Sequence, residues 1–133
     1  MTLTPMEHAL EIFAIIHLGL MGLSHVVQHR AWAEFFILLR GKGYAGVFVH
    51  GFLSLAFGSM ILAFHRVWSG IPAVLSVVGV LYLLKTLQCF VFPEVSMRSL
   101  ARVSTERSRI FIAPGIAFLA IAATLAFGLL RSG

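Results

Sequence analysis

Four apolar runs of roughly twenty residues each, 9–27, 44–64, 72–91 and 110–130, take up most of this chain of 133 residues. A bilayer hydrocarbon core of about 30 Å is crossed by about 20 helical residues, so every run has the length of a membrane span. Hydrophobic residues make up 59% of the chain and charged ones 11%, with a mean hydropathy of +0.97. That leaves too little polar surface for a water-soluble fold of this size. The expected fold class is all-α, a four-transmembrane-helix bundle. Only about fifty residues lie outside the runs, too few for a second core, so residues 1–133 are expected to form a single membrane domain.

Basic residues order the runs across the bilayer. The segment between runs one and two holds Arg30, Arg40 and Lys42, and the segment between runs three and four holds Arg98, Arg102, Arg107 and Arg109. The other side receives only Arg66 and Arg131, while Lys85 falls within a run. The positive-inside rule then puts both longer segments in the cytoplasm and both termini outside. Glu7 and Glu11 near the start, with no Lys or Arg beside them, do not make the positive leader of a cleaved signal, so the first run is expected to stay. The plan is that of small bacterial inner-membrane proteins, by architecture alone. The net charge of +5 is read as topology signal and contact with anionic headgroups, not as a nucleic-acid surface.

Both cytoplasmic segments carry helical periodicity. In 31–40, Trp32, Phe35, Phe36 and Leu39 oppose Glu34 and Arg40, the pattern of a short amphipathic helix in the membrane interface. In 94–109, Arg98, Arg102, Glu106 and Arg109 line one face of a second such helix, beginning at Pro93. Span, amphipathic helix and span thus occur twice, consistent with a parallel repeat of two hairpins or with the likeness of any two hydrophobic hairpins. Gly70 and Pro72 tighten the turn between runs two and three.

Chemistry is sparse. There is no Asp, no His-Glu-x-x-His helix and no Gly-x-Ser-x-Gly elbow, and Cys89 is the single cysteine. No catalytic or metal site is therefore expected. The one candidate constellation is polar residues that the topology brings to one depth near the cytoplasmic face: His25, His50 and Lys85. Tyr82, Lys85, Gln88 and Cys89 share a helical stripe on the third run. A lysine there either snorkels to the headgroups or faces inward onto an anion, with Arg98 and Arg102 as further headgroup contacts. His25 and His50 have the depth match for two axial ligands of a b-type haem, or for a quinone, against the alternative of interhelical hydrogen bonds. His17 is expected to bond a backbone carbonyl, and His8, His29 and His65 are expected at interfaces, with the outer half of the bundle dry. Ser54 with Gly58, and Ala122 with Ala126, are small pairs that permit close helix approach or docking of another subunit.

Three functions follow as expectations. The first is an accessory or scaffold subunit, or a self-associating bundle, with lipids and other membrane subunits as partners and no cofactor. The second is an electron-transfer anchor holding haem or quinone at His25 and His50. The third is a small transporter or channel with an anion or proton site at Lys85.

Overall fold

The computed structural model describes residues 2–133, which are mostly helical, with no strand among them. Six α-helices follow in order: α1 Pro5–Val27, α2 His29–Gly41, α3 Tyr44–Phe64, α4 Ala73–Val91, α5 Pro93–Ala101 and α6 Ile112–Ser132, with a 3-10 turn at Ser108–Phe111 leading into α6. Helices α1, α3, α4 and α6 are long and apolar enough to cross a membrane. They fall on the four runs, with one consequential shift. Helix α1 starts at Pro5, because Thr4 and Glu7 form a reciprocal capping box: the Glu7 amide donates to Thr4 Oγ1 at 3.2 Å and the Thr4 amide donates to Glu7 Oε2 at 2.9 Å. Proline at the first helical position loses no hydrogen bond there. Glu11 consequently lies about 9 Å inside the helix, beyond the flank.

The four long helices form two tight pairs, α1 with α6 and α3 with α4. Each pair closes on facing glycines. A Cβ on Gly22 would stand 2.8 Å from the Gly115 carbonyl oxygen, and one on Gly115 would stand 2.9 Å from that of Gly22. A Cβ on Gly58 would lie 3.1 Å from the Gly79 carbonyl oxygen. Where lipid offers no hydrophobic drive between helices, such backbone-to-backbone approach supplies the packing energy. The short link between α3 and α4 turns at Gly70, whose φ of +68° suits glycine. Span one thus pairs with span four, and span two with span three.

A core of Leu10, Ala14 and Leu18 from α1, Phe57 and Ile61 from α3, Leu75 and Val78 from α4, and Ala122 and Leu125 from α6 joins the two pairs. The opposite helix faces stay open and apolar, including Ile16, Leu20, Phe52 and Leu84. That is the surface of a bundle that fits an integral membrane protein.

Helices α2 and α5 cap one end. Trp32 Nε1 donates to Ser24 Oγ at 2.9 Å, and His29 Nδ1 hydrogen-bonds the Ser108 hydroxyl at 2.8 Å. The Arg40 guanidinium donates to the carbonyls of Leu100 at 3.1 Å and Val103 at 2.9 Å, taking up the orphan acceptors at the end of α5. This cap corrects the helix expected over 94–109. Helix α5 stops at Ala101, and Ser104 then accepts the Arg107 amide at 3.3 Å in place of a helical carbonyl. Arg102, Glu106 and Arg109 therefore never line up. We expect Arg40→Ala to cost about 1–2 kcal/mol, the low end for charge-assisted hydrogen bonds at a partly exposed site. Amide hydrogen exchange across residues 100–104 should accelerate, and unchanged protection there would show that the cap does not hold the turn.

Candidate functional site

The capped end holds an open-mouthed cavity of about 350 Å³ lined by α2, α3, α4, α5 and the 3-10 turn. Lys85, Gln88 and Cys89 reach it from one face of α4, at the spacing that stacks residues on one side of a helix. His50 enters from α3, Ser96 and Ser99 from α5, and Phe36 and Phe111 close the apolar side. Gln88 Nε2 donates to Ser96 Oγ at 3.3 Å, and the Ser96 hydroxyl points to the buried Cys89 sulfur at 3.6 Å. These contacts fix the α4 wall against α5. Among the described residues no carboxylate pairs with Lys85. Two acids of the capping helices are used elsewhere or lie away from the cavity: Glu34 pairs with Arg30 at 3.7 Å, and Glu94 borders a separate groove with Tyr44 and Arg98.

Lys85, His50 and Gln88 are thus brought together, and Lys85 lies within electrostatic reach of both His50 and His25. His25 itself is buried at the neighbouring α1–α6 contact. A carbonyl only accepts, so the 2.7 Å contact with Met21 O places a proton on His25 Nδ1. Its ring stacks on Trp32 at 4.1 Å and meets Phe118 edge-on. Tyr82 lies one turn deeper than the cavity, packed on Phe57. Arg98 and Arg102 stay exposed outside it. His17 stacks on Phe57 at 4.6 Å.

Between the two histidines the ring contacts run from His25 to Phe111, from Phe111 to a parallel, stacked Phe36 at 5.4 Å, and from Phe36 to His50 at 5.1 Å. A porphyrin shared by both imidazoles requires that aromatic pair to part. No group of three or more His, Cys, Asp or Glu side chains suited to a metal ion occurs among the described residues.

The far end, expected to be dry, contains a buried polar chain. His65 at the C-cap of α3 is 0% exposed, and its Nε2 lies 3.1 Å from Glu11 Oε1 on α1, itself 1% exposed. Its Nδ1 lies 3.0 Å from Ser76 Oγ on α4, and the Ser76 hydroxyl donates to the Val67 carbonyl at 2.6 Å. Sequence reasoning missed this group because Glu11 and His65 are 54 residues apart. The Thr4–Glu7 capping signature was the one local clue, since it starts α1 early enough to draw Glu11 inside. Serine, histidine and carboxylate in series resemble a hydrolytic relay. Ser76, however, is 0% exposed and its proton is committed to Val67, so no nucleophile is presented.

Compared with protein families, with characterised proteins and with solved structures, the chain matches none.

Proposed function

We propose that this chain is an integral membrane protein, with α2 and α5 on the cytoplasmic side and both termini opposite. In this reading it is an accessory subunit that holds an anionic amphiphile in the Lys85 cavity. The observation that carries the proposal is a lysine without a carboxylate partner on the wall of a cavity that is polar on its α4–α5 side and aromatic on the other. An ammonium in such a place calls for an anion. The second amide hydrogen of Gln88 and the Ser99 hydroxyl supply donors for the remaining headgroup oxygens, and Phe36, Leu100 and Phe111 suit an acyl chain.

Phosphatidylglycerol and phosphatidylcholine, offered separately to the delipidated chain in mild detergent, test the reading by native mass spectrometry. One phosphatidylglycerol should stay bound per chain, with little phosphatidylcholine. Lys85→Gln should lower that retention about tenfold, the equivalent of one charge-assisted hydrogen bond. Equal retention by the variant, or no preference between the lipids, would remove the proposal.

A further inference from the structure

The buried chain at the far end is not used by lipid binding at Lys85, and its geometry determines how many protons it carries. The Val67 carbonyl can only accept, so at 2.6 Å the Ser76 hydroxyl spends its one proton there. Ser76 Oγ then meets His65 Nδ1 at 3.0 Å as an acceptor, which requires a proton on Nδ1. What remains is the 3.1 Å contact between His65 Nε2 and Glu11 Oε1. One proton satisfies it, either as an imidazolium N–H facing a carboxylate or as a carboxylic O–H facing a neutral ring. Both arrangements have zero net charge. With the proton gone, two acceptors face one another beside an unpaired carboxylate. With a second proton, two donors do, beside an unpaired imidazolium. Buried polar groups do not tolerate either state at this distance.

The position of the pair gives that proton a consequence. Glu11 belongs to the α1–α6 pair of helices, and His65 and Ser76 belong to the α3–α4 pair. The proton is therefore a polar link between the two halves of the bundle at this end, beside the contact of the Arg66 amide with Glu7. A cavity of about 540 Å³ opens beside it, with Glu11 on its wall and His8, Ile71, Pro72 and Arg131 around it. The charged and titratable groups facing the pair are Glu7 and His8 from α1, Arg131 from α6 and Arg66 from the α3–α4 link, whose amide lies near Glu7.

We propose that Glu11 and His65 form a single-proton binding site, reached through this cavity from the face that carries the termini, whose occupancy clasps α1–α6 to α3–α4. Loss of the proton releases the clasp. Arrival of the proton, from water or hydronium in the cavity, restores the N–H···O contact with no other bond made or broken.

Histidine nitrogen NMR on the full chain in nanodiscs tests it, with a comparison of wild type and Glu11→Gln. The glutamine is nearly isosteric, and its amide can donate to a neutral Nε2, so the variant keeps the contact without the exchangeable proton. Between about pH 5 and pH 8, the range in which free imidazole titrates, wild-type His65 should keep Nδ1 protonated. Its Nε2 signal should move on Glu11→Gln. Unfolding equilibria provide the second measurement. Above about pH 6.5, where an unfolded imidazole is neutral and an unfolded carboxylate bare, the folded wild type holds one more proton than the unfolded chain. Its folding constant should therefore fall more steeply with pH than that of Glu11→Gln, by up to about tenfold per pH unit. A His65 found with a bare Nδ1 and a protonated Nε2 would overturn the proposal, as would parallel pH slopes for the two proteins.

Discussion

His65→Leu is expected to cost the bundle about 3–5 kcal/mol, because it leaves the buried Glu11 with no partner for its carboxyl group. The loss should exceed that of any other single polar substitution in the chain. Removing both members is different. In Glu11→Leu/His65→Leu the carboxylate goes too, and apolar groups of similar volume fill the space, so most of the lost stability should return. Ser76 then loses its histidine neighbour but keeps its bond to Val67, which limits the residual cost. Unfolding in mixed micelles of the two single variants and the double variant gives the coupling directly. Additive losses, with the double variant the least stable of the three, would mean that the pair is not the clasp described above.

The contrast between the two ends of the molecule explains what could be read from the amino-acid sequence. Lys85 stands out because a lone charge in an apolar run is visible without knowing its neighbours, and one helical turn places Gln88 and Cys89 beside it. The spans are visible for the same reason: length and hydropathy are properties of a single helix. Glu11 and His65 each look like flanking residues when taken alone. Their meaning comes from the way α1 crosses the α3–α4 link, and pairing over 54 residues leaves no periodic trace. Arg40 is a similar case. Its charge counts toward topology in the sequence, whereas in the fold its guanidinium is spent on the carbonyls that end α5, and that ends the helix expected over 94–109. The face of α1 that reads Glu11, Ala14, Leu18, Gly22 and His25 shows how the two sites are tied together. One buried stripe at three- and four-residue steps runs from the proton pair at one end to the aromatic cluster beside the Lys85 cavity at the other.

The same stripe makes Gly22 the most demanding position on α1 for size. Gly115→Leu and Gly22→Leu should each destabilise the chain by about 1–3 kcal/mol or more, the range for overpacking a filled site, with backbone giving way where a side chain would normally adjust. The obstacle at Gly22 is the carbonyl oxygen of Gly115 at 2.8 Å together with the Leu119 amide nitrogen at 2.9 Å. Neither can swing aside as the end of a flexible side chain would. At Gly115 the obstacles include the His25 Cβ at 2.8 Å, so the leucine also pushes on the imidazole that stacks against Trp32. Gly19, one turn away on the same helix, has nothing within 4 Å of an added Cβ. Gly19→Ala should therefore be neutral or gain up to about 1 kcal/mol from the better helix former. Unfolding midpoints separate the cases, and Trp32 fluorescence should report the shift in Gly115→Leu but not in Gly19→Ala. If Gly22→Leu and Gly19→Ala behave alike, the close crossing of α1 and α6 is not what holds that pair together.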